Sequence, residues 1–376
     1  MRPGLITLEA GDVVALDTGA GARNFLVTRI ADGPTRIVSA RAIDASVYDR
    51  APPVHGRRIV AATRAPGPPY VVVLDLAIAR GQPIATQYIA ACADPWPGPL
   101  AVYRVIGGSF EPLVTLLACA TIGETLDTLG PGPVACFDRG ASVTVKLHSG
   151  QLAAVGDALA LQGRSTMAIQ GADGAWEIFA FSDAELIADN TYRLSRLVRG
   201  LGGEEALASR SVPAGATVVL LDRTVVPLAS GVSSLGLISN LAVGAANSAV
   251  GGSTYASIAT TVTPKALTPY APVQAKAVLG AAGVTISFIR RGRIDSDAWE
   301  PIDIPLGEDG EAYQIAIARP SGGPRTLQAT SQSALYAATD MAADFSMQPD
   351  ALDLTIRQIS AAVGPGFPLS VHVVIQ

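Results

Sequence analysis

Apolar and polar residues alternate along most of this sequence with a period of two, which predicts β-strands with one face turned towards a core. Residues 24–30 and 36–42 are two such runs. Residues 31–34 between them, Ala-Asp-Gly-Pro, include three turn formers. This arrangement predicts a β-hairpin near the start of the chain.

The same pattern recurs further along. Residues 100–106 and 109–117 are strand-like and are separated by Gly107-Gly108, which predicts a second hairpin. Two more runs flank Asp189-Asn190, and another pair of runs follows closely. These four predicted strands are residues 176–181, 191–198, 218–222 and 224–228.

From about residue 271 the pattern predicts a compact β-sandwich. Strand-like runs separated by turn residues recur over about 105 residues, a spacing typical of an immunoglobulin- or fibronectin-like domain. The predicted strands are residues 284–289, 312–317, 352–359 and 370–375. The predicted fold class is therefore mainly β, with several domains and a sandwich at the C-terminal end.

Helical patterns are sparse. Residues 118–129 have an apolar spacing that a short helix could use, although Gly123 weakens it. Residues 235–250 are rich in Ala, Ser, Gly and Asn and show neither a helical stripe nor alternation. With the prolines that follow, this stretch predicts an extended or irregular connector and a soft domain boundary.

Composition and charge exclude several classes of protein. Apolar residues make up 49% of the 376, which excludes a disordered chain. The net charge is −5 and no dense run of Lys or Arg occurs, so sequence-independent nucleic-acid binding is not expected. We expect no membrane span, because no uninterrupted apolar stretch approaches 18 residues.

The three cysteines, Cys92, Cys119 and Cys136, are an odd number and lie far apart in apolar surroundings. This pattern argues against a disulfide framework and predicts buried free thiols.

The sequence contains few residues in patterns that could form a catalytic or cofactor site. His55, His148 and His372 have no metal-ligand spacing, and no Gly-x-Ser-x-Gly sequence is present. The glycine-containing segments 19–21 and 364–366 lack a following helix and are predicted to be turns. We therefore predict no catalytic residue, no cofactor and no metal, and we expect the chain not to be an enzyme.

Carboxylates offer one alternative, because two of them suffice for glycoside hydrolysis. Asp183 and Glu185 form one candidate pair. A second group of acids and arginines surrounds an aromatic side chain. It is either a sugar site or a set of surface ion pairs, and the alternation with arginine favours ion pairs. We retain it as a candidate surface recognition loop made of Arg290, Arg291, Arg293, Asp295, Asp297 and Trp299.

Several stretches, in order, resemble one family. They are residues 8–14, 25–33, 42–48, 94–98, 174–179, 192–204, 269–273, 288–299, 305–313 and 358–366. This set is similar to the C-terminal part of the large tail-tip hub protein (megatron) of gene transfer agents and long-tailed phages. It is also distantly similar to the central tail-tip proteins of lambda-like phages. The resemblance covers nearly the whole chain and is weakest over residues 225–260.

The resemblance implies a domain plan. Residues 1–95 would be a hub β-domain and residues 96–233 a second β-rich hub domain. Residues 234–268 would be a Gly/Ala/Ser-rich connector, and residues 269–376 a fibronectin-III-like sandwich. Large family members carry a glycoside-hydrolase-like barrel upstream of this region, so we expect that barrel on another chain.

The resemblance also implies a function. The chain would be a structural part of a virion tail tip or baseplate, assembled in the bacterial cytoplasm as a homotrimer that contacts other hub and distal tail proteins. Residues 235–252 could then line the trimer axis, where small residues allow close approach. A host-surface glycan-binding module using Trp299 is the alternative, and a cell-wall hydrolase using Asp295 and Asp297 is a weaker one.

Overall fold

The computed structural model describes residues 7–17, 19, 21–44, 66–78, 85–230, 232–294 and 304–376. The chain divides into two compact units, residues 1–63 and 64–376. Both are built from antiparallel strands, which confirms the mainly β prediction. Asp295, Asp297, Trp299 and His55 lie outside the described residues.

The first unit contains a three-stranded antiparallel meander. Its strands are β1 (Val13–Asp17), β2 (Ala22–Ala31) and β3 (Ile37–Ala42), with β2 in the middle. The predicted hairpin is confirmed as β2–β3, whose strands are joined by residues 32–36. Val27, on the middle strand, is 1% exposed.

The second unit begins with a domain of two facing sheets. One sheet holds β4 (Tyr70–Leu74), β5 (Ala85–Cys92) and β14 (Val226–Ser230), in the order β14-β5-β4. The other has the order β16-β15-β6-β7. It holds β6 (Leu100–Ile106), β7 (Ser109–Leu116), β15 (Ile238–Ala245) and β16 (Ala256–Thr261). Ile89, Leu100 and Leu241 belong to the core between them. We call this the split domain, because its strands lie on both sides of an insertion.

The insertion is a closed six-stranded barrel with the order β10-β11-β12-β9-β8-β13. Its strands are β8 (Ile122–Thr125), β9 (Phe137–Leu147), β10 (Thr166–Gln170), β11 (Trp176–Ala188), β12 (Thr191–Leu201) and β13 (Thr217–Leu220). Two short helices accompany them, α1 (Asp157–Leu161) and α2 (Glu205–Ala208). Closure removes the exposed edges that an open sheet would present.

The barrel packs directly on the split domain. Leu74 and Tyr88 from the split domain share one buried apolar cluster with Ile122, Trp176 and Val219 from the barrel. Burial of large apolar side chains on both sides of the contact stabilises this arrangement by the hydrophobic effect. The insertion is therefore fixed to its host by a common core.

The chain ends in the predicted sandwich. One sheet has the order β17-β18-β21, and the other has β20-β19-β22 with β24 also paired to β22. The strands are β17 (Val273–Gly280), β18 (Gly283–Ile289), β19 (Tyr313–Ile317), β20 (Arg325–Ala329), β21 (Ser333–Ala337), β22 (Ala351–Ser360) and β24 (Leu369–Val374). The short bridge β23 (Gly364–Pro365) and helix α3 (Ala338–Asp344) complete it. This three-plus-four strand order is that of a fibronectin type III domain, as predicted.

Two local predictions are wrong. Residues 118–129 form no helix, because β8 lies there between β13 and β9. A Cβ on Gly123 would lie 2.4 Å from the Lys146 carbonyl oxygen, so the glycine serves a close strand contact. Residues 235–250 are not an irregular connector, because they contain β15, which pairs with both β6 and β16. Residues 241–245 are buried within their own chain and so are not available to line a trimer axis.

The predicted domain boundaries therefore differ from the observed ones. A boundary at residue 95 would separate β5 from β6, which contribute to one core, and a boundary at residue 233 would separate β14 from β15. The chain leaves the split domain after β7 and returns to it at β14. All seven sandwich strands lie within residues 269–376.

The prediction of buried free thiols is also wrong. Cys92 and Cys119 form a disulfide, with their Cα atoms 4.5 Å apart. They are 27 residues apart in sequence, but the chain returns to the end of β5 after the β6–β7 hairpin. Cys136 is a free thiol, but it is exposed.

None of the helices in the described ranges is long and apolar enough to span a bilayer.

Candidate functional site

Two arginines of the predicted recognition loop, Arg290 and Arg293, form hydrogen bonds within the sandwich. Arg290 donates from its guanidinium to the carbonyl oxygens of Ile304 and Pro305, the latter at 3.1 Å. Its backbone N–H donates to Gln332 Oε1 at 3.0 Å. These contacts tie the two ends of residues 291–303 to the sandwich, so Arg290 supports the loop.

Arg293 has a similar structural role on the other side of the loop. Its Nη2 donates to the Gly307 carbonyl at 2.7 Å and to Glu308 Oε1 at 3.1 Å. The two side chains are only 7% and 6% exposed. A guanidinium buried in this way presents little surface to a ligand. Surface recognition by the loop stays a prediction.

Arg291 contacts the barrel domain. Its Nη1 donates to Glu205 Oε1 at 2.7 Å, and its Nε donates to the Ala271 carbonyl at 3.0 Å. The guanidinium carbon lies 5.4 Å from the centre of the Tyr270 ring, within the range of a cation–π contact. Arg291 thus joins the sandwich to helix α2 of the barrel.

Tyr270 occupies the short segment between the split domain and the sandwich. Its hydroxyl donates to the Ala77 carbonyl of the split domain at 3.1 Å. Gly203, which follows β12, lies against the Tyr270 ring. A Cβ on Gly203 would come within 2.5 Å of Tyr270 Cδ1. One aromatic side chain therefore contacts all three domains of the second unit.

A buried ion pair lies beside this tyrosine. Lys265, on the 3₁₀ turn Lys265–Leu267, places Nζ 2.7 Å from Glu204 Oε1. The Lys265 ammonium also donates to the Trp176 carbonyl at 3.4 Å. The Glu204 side chain is 0% exposed and the Lys265 side chain is 17% exposed, so a largely buried ion pair joins the split domain to the barrel.

The electrostatics of the pair follow from its burial. Burial raises the pKa of the Glu204 carboxyl to about 7, against the opposing effect of the Lys265 ammonium. The nearby carboxylates of Asp75 and Glu177 raise this pKa further. Burial also raises the pKa of Asp75, whose Oδ2 accepts a 2.6 Å hydrogen bond from Thr263 Oγ1. A carboxyl that titrates near neutral pH therefore lies between two domains.

We call this set of residues the domain junction: Asp75, Gly203, Glu204, Glu205, Lys265, Tyr270 and Arg291. Three of the sequence stretches that carry the resemblance, 192–204, 269–273 and 288–299, contribute residues to it. Glu204 is buried and the other charged groups are partly exposed, and two ion pairs, Glu204–Lys265 and Glu205–Arg291, join the domains. The arrangement is therefore suited to fixing domain orientation. In the part of the chain that the structure describes, no group of three or more His, Cys, Asp or Glu residues is placed to hold a metal ion.

The other candidate residues are separate from the junction. Glu185 pairs with Arg193 at 3.3 Å, and Asp183 lies 3.7 Å from Arg196. His372 Nδ1 lies 2.7 Å from Asp353 Oδ1 on the neighbouring strand, where both side chains are exposed. His148 packs edge-on against Tyr70, at 6.1 Å between ring centres.

Sequence reasoning missed the centre of the junction. Glu204 and Lys265 are 61 positions apart, and nothing in their local patterns pairs them. The one available signal was that Lys265 is one of only three lysines in a chain that otherwise uses arginine.

The comparisons with known proteins bear on the barrel. Residues 120–219 match the family model described as "Rcc01698-like, C-terminal", a family associated with gene transfer agents. The match spans about a quarter of the chain, and its limits lie within two residues of the start of β8 and the end of β13. The inserted barrel is thus the part that is similar to this family.

The other comparisons add little. A crystal structure of the FN1–FN3 domains of chicken CNTN1 covers 83% of this chain and 99% of its own, at 11% identity. Its TM-score of 0.21 means that the two chains do not superpose as wholes. No curated protein matches the sequence.

Proposed function

We propose that this chain is a structural component of a phage-like particle, located in the tail-tip or baseplate hub. The observation that carries the proposal is the coincidence of the inserted barrel with the match to a family associated with gene transfer agents. The ordered resemblance of the rest of the sequence to tail-tip hub proteins supports the same assignment.

The geometry of the domain junction suits such a role. A hub must hold several domains at fixed angles while its outer surfaces contact neighbouring proteins. Here the barrel is joined to its host at both ends of the insertion and through a shared apolar core. Arg291, Tyr270 and Lys265 then tie the sandwich, the barrel and the split domain together.

The proposed chemistry is binding without catalysis. The chain would act without a cofactor or metal, as a homotrimer in contact with other hub and distal tail proteins. It would be assembled in the bacterial cytoplasm and would remain in the finished particle. The exposed apolar side chains of the described residues, such as Leu117 at 76% and Ile238 at 69%, are available for such contacts.

The first test is the mass of the purified native assembly, measured by light scattering or native mass spectrometry. A homotrimer would give about 115 kDa, three times the 38.5 kDa of one chain. A stable monomer over the micromolar range would contradict the trimeric hub.

The second test places the chain in the particle. A tagged copy would replace the gene in a strain that makes the particles, and gold-labelled antibody would be located by electron microscopy. Label at the distal end of the tail supports the proposal. Label elsewhere, or normal infectious tails in a strain that lacks the chain, contradicts it.

A further inference from the structure

The disulfide lies at one of the two crossings between the split domain and the barrel. Residues 117–121 lead from β7 into β8, and residues 221–225 lead from β13 back to β14. Cys119 is in the first crossing, and Cys92 is the last residue of β5. The bond therefore anchors the first crossing to a strand of the host sheet.

Strand β5 is the common anchor of both crossings. It pairs with β14, which begins directly after the second crossing, and Ile89 is opposite Val226. On the first crossing, the Ala120 N–H donates to the Ala91 carbonyl of β5 at 2.9 Å. Ala120 in the first crossing is therefore hydrogen-bonded to β5, and the disulfide joins the adjacent residue, Cys119, to the same strand.

The two sulfur-bearing residues are accessible to small molecules. Cys92 and Cys119 are both half-buried, and Leu117 in the same crossing is 76% exposed. A glutathione-sized thiol or disulfide can therefore reach the bond without unfolding of the barrel.

We propose that Cys92 and Cys119 form a redox-controlled latch that sets the mobility of the barrel's first crossing. With both thiols reduced, the shared core still holds the barrel, while the Ala120 hydrogen bond breaks as residues 117–121 open locally. With the disulfide formed, that opening is suppressed. The latch depends on this chain's geometry alone, and only its timing in a particle's life rests on the proposed function.

The chemistry is ordinary thiol–disulfide exchange with a small disulfide such as oxidised glutathione. The thiolate of Cys119 attacks one sulfur, forms a mixed disulfide and releases one glutathione. The Cys92 thiolate then attacks the Cys119 sulfur, closes the protein disulfide and releases the second glutathione. The protein loses two electrons, the glutathione disulfide gains them, and the two thiol protons pass to the released thiolates.

In the proposed particle, this exchange would follow release from the cell. Cytosolic glutathione and thioredoxin keep thiols reduced, whereas disulfides persist outside the cell. The crossing would therefore be mobile during assembly and fixed in the finished tail.

Hydrogen–deuterium exchange of the purified full-length chain tests the latch. One sample is oxidised with glutathione disulfide and the other is kept in dithiothreitol. We expect the Ala120 amide to exchange roughly tenfold faster or more in the reduced sample, while amides of β12 inside the barrel stay unchanged. Equal exchange of Ala120 in the two samples would overturn the proposal.

Thiol counting and two variants complete the design. Fully oxidised wild type should show one reactive thiol per chain, from Cys136, and a count of three would also overturn the proposal. The double variant Cys92→Ser/Cys119→Ser should exchange like the reduced protein and ignore reductant. The matched variant Cys136→Ser should keep the full redox response, and loss of the response in it would assign the effect to the wrong cysteine.

Discussion

Arg199 and Glu177 form a two-point ion pair between the neighbouring strands β12 and β11 of the barrel. Nε of the arginine lies 2.5 Å from Oε1, and Nη2 lies 2.7 Å from Oε2. The two side chains are 0% and 2% exposed. Arg199 also donates to the Gly130 carbonyl at 3.0 Å, and the Gly200 N–H donates to Glu177 at 3.2 Å. The pair is therefore fully hydrogen-bonded as well as buried.

Removing one partner of this pair should destabilise the barrel strongly. Arg199→Met leaves the Glu177 carboxylate buried without its counter-ion, which costs about 3–5 kcal/mol of unfolding free energy. Urea unfolding followed by fluorescence measures the loss, because Trp176 is buried one residue from Glu177. The double variant Arg199→Met/Glu177→Leu should lose less than the single variant, since no buried charge remains. A double variant that is less stable than the single one would contradict this account.

Gly203 should resist substitution for two separable reasons. Its φ is +87°, a conformation that L side chains rarely adopt, and an added Cβ would collide with the Tyr270 ring. Gly215 has a similar φ of +81° but open space around it. Gly215→Ala should therefore cost only the backbone term, about 1–2 kcal/mol. Gly203→Ala should cost about 1–3 kcal/mol more, measured by thermal unfolding. Equal losses for the two variants would show that the ring is free to move away.

The sequence pattern was sufficient for many of the individual strands. Residues 176–181 are apolar except for Glu177, and residues 191–198 alternate in part. The two runs flank Asp189-Asn190, and the structure joins β11 to β12 at that turn. Asn190 takes a φ of +51°, a conformation that asparagine adopts more readily than most residues. The C-terminal sandwich was predictable because burial alternates along its strands, as it does in β19 and β22.

Which strands share a sheet was not predictable. β13 and β14 are separated by only five residues, yet β13 closes the barrel and β14 pairs with β5 of the split domain. β15 was missed because residues 241–245 are all buried, which removes the alternation that marks a half-exposed strand. The junction contact between Arg291 and Glu205 spans 86 residues, and local patterns carry no information at that range.

Glu204 should make stability fall as the pH rises through neutrality. Its folded-state pKa of about 7 is above its ordinary value of 4.5, so the folded chain holds a proton that the unfolded chain releases. Stability is then fully present below about pH 4.5 and is lost as pH rises through 7. The difference between the two pKa values corresponds to about 3 kcal/mol of unfolding free energy. Lys265, Asp75 and Glu177 are the other charged groups that act on it.

Two glutamine variants isolate this effect. Glu204→Gln keeps the side-chain shape and removes the titration, so its melting temperature should vary less between pH 5 and pH 8 than that of the wild type. Glu205→Gln changes the adjacent residue, which pairs with Arg291, and should keep the wild-type pH dependence. If the melting temperatures of both variants vary with pH as that of the wild type does, another group is responsible for the pH dependence.

Asp344 has the opposite electrostatic setting in the sandwich. Hydrogen bonds from Arg325, Tyr336 and Arg319 hold the pKa of its carboxyl well below its usual value. Tyr336 donates at 2.8 Å and Arg319 at 3.0 Å, and the side chain is 2% exposed. The carboxylate therefore ties helix α3 to β20 and β21.

Asp344→Asn should lower the thermal stability of the sandwich at pH 7, because the neutral amide loses the ion pairs with two arginines and keeps only one acceptor oxygen. The depressed pKa means that the wild-type contribution is present above about pH 4 and is lost as the pH falls further. The variant should therefore differ most from wild type at pH 7 and least at pH 3. Asp340→Asn is the matched control, since Asp340 lies on the same helix, is 43% exposed and forms a 3.2 Å ion pair with Arg325. Hydrogen–deuterium exchange of the β22 amides measures the stability of the sandwich in both variants. An equal loss of stability in the two variants would refute the special role of Asp344.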